Sequence, residues 1–511
     1  MSKVPPKFSN TLLEHQNWNE ISTLIRLALI VGSQSTQAGN NYIYVPEIVH
    51  LVSLVAGEGP TLVRKSVYGI IINLLQSLYI SRPDDSTEPE LMQLINDYTL
   101  PENLKLFGLQ RETPTSEYTN LDPLNDKESL DINENLVQLL IRLLTVAAGS
   151  PGRFFLSHTF HSNKTDICIG LLNVWRARWM SLVTATAFQQ SPAVQTRSFV
   201  ALSALAVSDV DDDFLYQILV AFKSALTKAN ESNTMAIVSM LRCMCKIVPA
   251  IPEQSRYVSV LFWLAVALLQ ASHLGFFIEA TWLLRITLEN MEQQGLFKNN
   301  SVQAVLLETR EPLEEVTSQL DEMLRISFET SFSFSLSSII FKGLRHTVLK
   351  GPAEAALRSL LRVTSRAHSE NSSAYNGFKD SPCPEALGYF LALLPVSTTP
   401  KSYGRLLSEC SVDDSWVSNG SSDSEEEELG IPRVTDVVLG VHDANTALLV
   451  ASFAGTILAT AQGDDAETQM LYGLLSSLAN SYPEIISITY VSMSLTIFIL
   501  QPFLISIFLQ I

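Results

Sequence analysis

Cysteine and charge are both scarce in this sequence. Only 17% of its 511 residues are charged, and five are cysteine: Cys168, Cys243, Cys245, Cys383 and Cys410. Cysteines this sparse and odd in number are typical of a reducing compartment and exclude a disulfide-rich scaffold. A secretory signal is also missing, because a charged arginine interrupts the first apolar run near the N-terminus. We therefore predict a cytoplasmic protein, with peripheral attachment to membranes as an extension of that prediction.

Basic residues are few relative to acidic ones. The chain has 34 Lys and Arg against 52 Asp and Glu, which gives a formal net charge of -18. This charge repels nucleic acid and anionic lipid unless basic residues are concentrated in one place, and the sequence shows no such concentration. Nucleic acid is therefore excluded as a partner. Hydrophobic residues make up 47% of the chain, enough for a large core.

The sequence contains no recognisable catalytic motif. The nearest approach to a phosphate-binding loop is GPTLVRKS at residues 59–66. A P-loop requires a second glycine before its lysine, and Arg64 stands in that place. A helix that begins after Gly59 and Pro60 explains the stretch better. We predict no catalytic residue, no nucleotide and no other cofactor.

Three further pairs of residues resemble parts of sites. His158 and His161 are three residues apart, but no neighbouring side chain completes a metal-ligand set, and Cys243 and Cys245 point to different sides of a helix. We predict no metal site. Trp175 and Trp179, in the stretch WRARW, could stack on nucleic-acid bases, but they lie one helical turn apart and fit a core face better.

Helical periodicity dominates the chain from about residue 17. Leu215, Ile218 and Phe222, for example, fall on one helix face. Paired helical units recur at roughly 40 residues, which predicts an all-α fold, a HEAT/armadillo-like helical solenoid with two acidic disordered insertions. Only SFETSFSFSLSSII, residues 327–340, alternates with period two. We interpret it as the start of a helix, with a short strand as the alternative.

The predicted organisation follows composition. We assign a disordered N-terminus at 1–16, helical repeats at 17–80, an acidic linker with one short helix at 81–131, a HEAT-like solenoid at 132–410, an acidic disordered loop at 411–434, terminal helical repeats at 435–489 and an apolar tail of doubtful status at 490–511. Ser422 and Ser424 in the acidic loop are candidate phosphorylation sites, because each has a glutamate three residues on. A plain solvated loop is the alternative.

Several stretches together resemble one family. They are 46–79 (PEIVHLVSLVAGEGPTLVRKSVYGIIINLLQSLY), 175–206 (WRARWMSLVTATAFQQSPAVQTRSFVALSALA), 260–270 (VLFWLAVALLQ), 328–346 (FETSFSFSLSSIIFKGLRH) and 384–394 (PEALGYFLALL). In this order they resemble neurofibromin and its fungal relatives, which are giant Ras GTPase-activating proteins. The similarity covers roughly residues 17–488.

The resemblance implies a location and a role. The matching part of the family is a HEAT-like solenoid that follows the GTPase-activating domain and the Sec14-like and pleckstrin-homology modules. The arginine finger and the Phe-Leu-Arg motif of the activating domain have no counterpart here, so we expect a non-enzymatic C-terminal piece, as a partial gene model or a separate product.

The expected role is that of a scaffold that forms a homodimer through the solenoid. It would contact Ras only through the missing catalytic module, and it would support negative regulation of Ras signalling. The alternative is a stand-alone helical-repeat adaptor that binds a protein partner, with a tail-anchored form as its variant.

The apolar ending YVSMSLTIFILQPFLISIFLQI, residues 490–511, raises the question of a membrane anchor. Its length is sufficient to span a bilayer, but no basic residue follows Arg433 to orient it, and residues 257–278 are equally uncharged within the solenoid-like part. The family resemblance also stops near residue 490. We favour a translated intron or premature end of the gene model, with a buried terminal helix and a tail anchor as alternatives.

Overall fold

The computed structural model of the chain describes residues 12–15, 17–33, 43–80, 89–110, 118–121, 126–149, 164–189, 191–206, 210–229, 234–271, 273–311, 321–322, 327–371, 383–410, 441–461 and 465–483. These residues form α-helices joined by short turns, with no β-strand among them. The predicted all-α helical solenoid is confirmed as the fold class. The chain divides into two compact units, residues 1–252 and 253–511.

The first unit contains ten helices within its described residues. They are α1 (Trp18–Ser33), α2 (Val45–Val55), α3 (Thr61–Ile80), α4 (Pro89–Tyr98), α5 (Pro101–Leu106), α6 (Asp126–Gly149), α7 (Lys164–Ala187), α8 (Pro192–Leu205), α9 (Asp212–Thr227) and α10 (Thr234–Ile247). Several begin with proline in the first turn, where its missing N–H leaves no unsatisfied donor. The start of α9 is capped by Asp211, whose carboxylate accepts a hydrogen bond from the N–H of Phe214.

Helix α8 lies at the centre of the first unit. It packs against α6, α7 and α10, and α2 covers part of it as well. Its buried residues include Phe199 and Leu202, which the sequence places on one face. The predicted face of α9 is confirmed too, because Leu215, Ile218 and Phe222 are all buried. Neighbouring helices in the sequence therefore pack as neighbours in space, as repeat architectures do.

Two segments contain more helix than the sequence predicts: the acidic linker at 81–131, for which one short helix was predicted, and the N-terminus at 1–16. Residues 89–110 form two helices, α4 and α5, rather than one, and α6 begins at Asp126 inside the predicted acidic linker. Leu91, Leu94 and Tyr98 are buried where α4 packs against α3 and α6. Local apolar spacing thus outweighs the acidic composition of the segment. Residues 12–14 likewise form a short 3-10 turn that buries Leu12.

The second unit contains nine helices within its described residues. They are α11 (Tyr257–Leu268), α12 (Leu274–Gln293), α13 (Val302–Arg310), α14 (Phe328–Leu344), α15 (Lys350–Asn371), α16 (Leu387–Leu393), α17 (Pro400–Cys410), α18 (Ala444–Ala459) and α19 (Asp465–Ser481). The alternating stretch that could have formed a strand is the start of α14. Its period-two pattern is accommodated by a non-helical kink at Ser331. Phe332 and Leu336 are buried and Phe334 is half-buried.

Helix α15 is the central element of the second unit. It packs against α12, α14, α16 and α17, and α14 also packs closely on α16. At this last contact, a Cβ atom on Gly388 would lie 2.5 Å from the backbone of Ser333. Glycine is therefore needed for the two helices to approach this closely.

The uncharged run at 257–278 does not form one long helix. Helix α11 ends at Leu268 and α12 begins at Leu274, and most of the apolar residues of α11 are buried. Across the part of the chain that the structure describes, no helix combines the length and apolar character that crossing a membrane requires. The tail at 490–511 and the acidic loop at 411–434 lie outside the described residues.

Candidate functional site

An ion pair between Arg197 and Glu58 is fully buried in the first unit. Arg197 lies on α8, and Glu58 lies in the turn that follows α2. The Nη2 atom of Arg197 donates to Oε1 of Glu58 at 2.5 Å, and neither side chain is exposed to solvent. The Nη1 atom donates to the carbonyl oxygens of Leu54 at 2.7 Å and Ala56 at 2.9 Å. Arg197 therefore also satisfies carbonyls at the C-terminal end of α2, which have no partner within that helix.

The turn around Glu58 is closed by the segment 118–121. Gly57 and Gly59 both have positive φ, at 71° and 81°, so each can make the sharp bend that a residue with a Cβ disfavours. Between them, Glu58 forms an isolated antiparallel bridge with Thr119, whose hydroxyl donates to Oε1 of Glu58 at 2.5 Å. Asn120 packs so closely that a Cβ on Gly57 would lie 1.8 Å from its Nδ2 atom. Glu58 is thus enclosed on every side by protein.

Arg64 completes this region from α3. Its Nε donates to the carbonyl oxygen of Gly59 at 3.0 Å, Nη1 donates to that of Gly108, and Nη2 donates to the Thr61 hydroxyl at 3.1 Å. Its guanidinium also lies 4.3 Å from the centre of the Tyr118 ring. The residue that replaces the P-loop glycine is therefore buried and bonded to protein, and the interpretation of 59–66 as a helix start is confirmed, since α3 begins at Thr61. We call Glu58, Arg64, Arg197 and the segment 118–121 the buried junction.

Burial shifts the pKa values of both Glu58 and Arg197 in the buried junction. Burial raises the pKa of Glu58, and the opposing effects of Arg197 and the Thr119 hydroxyl offset this only in part. Burial likewise lowers the pKa of Arg197, against the effect of Glu58. A pair removed from water gains little net stability, but losing one partner leaves the other charge uncompensated. The junction can therefore fix how α2, α3 and α8 meet.

The second unit has two comparable but less buried polar contacts. Arg345 donates to both carboxylate oxygens of Glu467, at 2.5 and 3.1 Å, and to the carbonyl oxygen of Ile457 at 3.1 Å. Arg310 pairs with Asp321, and its guanidinium lies over two aromatic rings, 4.9 Å from the centre of the Trp263 ring and 4.5 Å from that of Phe328. Each arginine ties together segments distant in sequence.

A row of arginines also follows one side of α15. They are spaced four residues apart and pair with glutamates of α12, α15 and α17, as Arg358 with Glu354 and Glu409, Arg362 with Glu289, and Arg366 with Glu292. Because spacing by four keeps side chains on one helix face, this row connects α15 to α12 and α17, two of the helices that pack against it.

The tryptophan and cysteine pairs singled out in the sequence lie in the core. Trp175 and Trp179 are buried while Arg176 and Arg178 are exposed, which confirms the core interpretation. Cys243 and Cys245 are both buried, and burial raises the pKa of the Cys243 thiol to about 12. A thiol with so high a pKa is a poor nucleophile at neutral pH.

Other predicted positions lie outside the described residues. They are His158, His161, Ser422 and Ser424. Among the residues that the structure does describe, no group of three or more His, Cys, Asp or Glu side chains is placed to hold a metal ion.

Sequence reasoning missed the buried junction itself. One signal was present: Arg197 is the only charged residue between Arg178 and Asp209, within a helix whose other residues are uncharged and mostly apolar or small. A lone charge in such a helix indicates a buried and paired side chain. The partner could not be inferred, because Glu58 lies 139 residues away in the sequence.

The fold and these contacts define a helical-repeat protein whose polar interior groups join helices to one another. No protein-family model matches the chain. Over 366 residues the chain is 20% identical to the inhibitory regulator protein IRA2 of Saccharomyces cerevisiae, a match that covers 70% of this chain and 11% of that protein. Over 411 residues it is 20% identical to the inhibitory regulator protein IRA1 of the same yeast, covering 78% of this chain and 12% of that protein. The chain spans about a tenth of the length of these relatives, and the similarity supports a relationship to them.

Proposed function

We propose that this chain is a non-catalytic scaffold region of a Ras-regulating protein, and that it supports negative regulation of Ras signalling through a longer polypeptide. The observation that carries the proposal is the extent of similarity to two proteins named as inhibitory regulators, 70% and 78% of this chain. A match of this length involves the helical array as a whole rather than a short motif. The proposed role in Ras regulation also follows the family resemblance of the sequence.

The packing of the chain is suited to a scaffold. Stacked helical repeats expose long continuous surfaces, and their use as scaffolds depends on fixed angles between successive helices. The buried junction in the first unit and the pair of Arg345 with Glu467 in the second each join helices through charge-assisted hydrogen bonds. Such contacts hold helix geometry without requiring a cofactor.

The proposed partners are proteins. The net charge of -18 disfavours nucleic acid, and we propose that the chain forms a homodimer through its helical surface. Contact with Ras belongs, in this proposal, to a catalytic module outside the chain. We further propose a cytoplasmic location with peripheral attachment to membranes.

A GTP-hydrolysis assay tests the proposal. The purified chain, added to GTP-loaded Ras, is expected to leave the hydrolysis rate unchanged. Deleting the matching region from a full-length relative in cells should raise the GTP-bound fraction of Ras, while the purified catalytic module keeps its activity. Stimulated hydrolysis by the chain alone would overturn the non-catalytic assignment, and an unchanged GTP-bound fraction after the deletion would overturn the scaffold role.

The acidic loop provides a separate test of regulation. We propose Ser422 and Ser424 as phosphorylation sites, because acid-directed kinases accept a serine followed by a glutamate three residues on. Mass spectrometry of the protein from its native host should detect phosphate on these residues. Complete coverage of the loop without any phosphate would contradict this part of the proposal.

A further inference from the structure

Residues 118–121, which we call the strap, lie alongside the turn that follows α2. The strap contains no helix and forms an isolated antiparallel bridge with that turn. The N–H of Gly59 donates to the carbonyl oxygen of Tyr118 at 2.8 Å. The N–H of Asn120 donates to that of Gly57 at 3.0 Å. The residues that hold the strap, which we call the strap slot, are Gly57, Glu58, Gly59, Arg64, Leu106 and Gly108.

The two central side chains of the strap each donate to one acceptor in the slot. The Thr119 hydroxyl donates to Oε1 of Glu58 at 2.5 Å. The Nδ2 atom of Asn120 donates to the carbonyl oxygen of Leu106, at the end of α5, at 2.7 Å. Leu121, which follows them, is buried. Because a buried acceptor is costly to leave without a donor, this part of the slot fits a hydroxyl residue followed by an asparagine and an apolar side chain.

Glycines leave the space that the strap occupies. A Cβ on Gly57 would overlap the amide of Asn120, and a Cβ on Gly108 would overlap the ring of Tyr118. Four glycines have positive φ among the residues that the structure describes, and three of them, Gly57, Gly59 and Gly108, belong to the strap slot. Glycine is the residue that lets a backbone approach a ligand closely. The slot is therefore shaped to the side chains of the strap.

Arg64 completes the slot at the Tyr118 end. Its guanidinium lies 4.3 Å from the centre of the Tyr118 ring, a cation–π contact. The arginine is held in place by the carbonyl oxygens of two slot glycines, so its position does not depend on the strap. Tyr118 and Thr119 are only half-buried. This end of the strap therefore reaches solvent, where a segment can enter or leave the slot.

We propose that the strap slot is a peptide-binding site, which the strap fills from within the chain as a ligand would. The ligand class is an extended peptide with an aromatic side chain, a hydroxyl, an asparagine and an apolar side chain, in that order. Backbone pairing supplies affinity and the side-chain contacts supply specificity, as in other sites that bind extended peptides. Any such peptide supplied in trans competes with the strap, so its apparent affinity is reduced by the small fraction of slots that are open. The proposal does not rest on a role in Ras regulation.

Hydrogen exchange of the full chain tests whether the strap opens on its own. The amides of Gly59 and Asn120 each donate to a bond between strap and slot. Peptides that cover residues 56–60 and 118–121 should therefore exchange at a common rate, about tenfold or more faster than peptides from the buried part of α8. Exchange of both segments only together with α8 would show that the strap opens only when the whole unit unfolds, and it would overturn the proposal.

A labelled peptide of residues 116–123, SEYTNLDP, tests the slot in trans. The full-chain variant Thr119→Gly/Asn120→Gly removes both side-chain donors of the strap. Fluorescence anisotropy should show that this variant binds the peptide about tenfold or more tightly than the wild type does, because its own strap competes less well. The matched control is the peptide with the change Asn120→Ala, which should bind the variant about tenfold more weakly, since the carbonyl of Leu106 then has no donor.

Each result supports or overturns the proposal. Tighter binding by the variant than by the wild type, weakened by the Asn120→Ala change in the peptide, supports it. A variant that keeps the circular dichroism of the wild type but binds neither peptide, or binds both equally, overturns the peptide-binding site. Where the variant loses its helical circular dichroism, the hydrogen exchange of the wild type decides: separate opening of the strap supports the proposal, and opening only together with α8 overturns it.

Discussion

The two units of the chain join their helices with the same chemistry at very different depths. In the first unit, the side chains of Arg197 and Glu58 are 0% exposed. In the second unit, two of the arginines paired along α15 are partly in water, with Arg362 44% and Arg366 51% exposed. The Arg197–Glu58 pair and the pairs along α15 are all ion pairs between arginine and glutamate. Their consequences should differ, because the cost of losing a charge partner depends on access to water.

The difference also has a structural cause. Arg197 reaches into the end of α2, where backbone carbonyls and a carboxylate converge and both charged side chains are closed to solvent. Along α15, Arg362 and Arg366 pair with glutamates at the edge of α12, where water can solvate both partners in part. Arg345 is intermediate, because its partner Glu467 is buried while the arginine itself is half-buried. A gradient of burial therefore predicts a gradient of mutational effects.

Replacing Arg197 should have the largest effect. The Arg197→Ala variant leaves the Glu58 carboxylate buried opposite no charge and frees the carbonyls at the end of α2. We expect the free energy of unfolding of the first unit to fall by about 3–5 kcal/mol, as for other broken buried ion pairs. Urea denaturation, with hydrogen exchange of peptides from residues 43–80, measures the change.

The control for this prediction lies in the same unit. Arg178 pairs with Glu47 while 46% exposed, so Arg178→Ala should cost no more than about 1 kcal/mol. The double variant Glu58→Leu/Arg197→Met removes both charges and should recover much of the loss. Equal losses of unfolding free energy in Arg197→Ala and Arg178→Ala would show that the depth of burial of an ion pair does not determine the cost of breaking it.

Replacing Arg345 should have the next largest effect. Arg345→Ala removes a two-pronged charge-assisted contact with Glu467 and a hydrogen bond to the Ile457 carbonyl. Because the arginine retains some access to water, we expect a loss of roughly 2–3 kcal/mol in the second unit. The Arg345→Lys variant keeps the charge but cannot make both contacts, so its free energy of unfolding should lie between those of the wild type and Arg345→Ala. A loss as large as that of Arg197→Ala would contradict the proposed gradient.

The helices themselves could be predicted from sequence more readily than these pairs. Leu215, Ile218 and Phe222 repeat at helical spacing, so their common burial follows from local pattern alone. The same reasoning predicts one short helix in the acidic linker at 81–131, which is α4, but it missed α5 and the start of α6 in the same segment. Composition averages over a window and hides an apolar stripe of two turns.

The buried junction required information that no local pattern contains. Arg197 stood out as a lone charge in an apolar helix, but its partner lies 139 residues earlier, in a glycine-rich turn. The sequence AGEGP indicates the turn without indicating that Thr119 and Asn120 will close it. Pairings between distant segments depend on which helices stack, and that is decided by the packing of the whole unit.

Removing the cap of α18 should have a smaller effect that depends on pH. Asp443 accepts hydrogen bonds from the hydroxyl of Thr446 at 2.6 Å and from its N–H at 2.8 Å, and these bonds lower the pKa of Asp443. Asp443→Ala should cost about 1 kcal/mol at neutral pH, as the loss of an N-cap usually does. Because the pKa of Asp443 is lowered in the folded state, its charged carboxylate stabilises the fold at pH values above the ordinary aspartate pKa. This contribution is lost as the pH falls through the lowered pKa.

The matched control for the cap is Asp443→Asn. Asparagine keeps an oxygen that can accept the N–H of Thr446 but does not titrate, so its stability relative to alanine should be independent of pH. Thermal unfolding of the three proteins between neutral and strongly acidic pH measures both effects. A wild-type advantage over Asp443→Ala that does not shrink in acid would show that the charge of Asp443 plays no part.

Replacing Arg366 should have the smallest effect, and this is the sharpest test of the comparison between the units. Its bond to Glu292, at 3.1 Å, is as short as many buried ones, yet half of the Arg366 side chain is in water. We expect Arg366→Ala to change the free energy of unfolding by less than about 1 kcal/mol, and the change to shrink further in high salt because ions screen exposed pairs. Urea midpoints at low and high salt measure it, with Arg362→Ala as the parallel case. A salt-independent loss of several kcal/mol would mean that the α15 row acts as a unit and that burial alone does not rank these contacts.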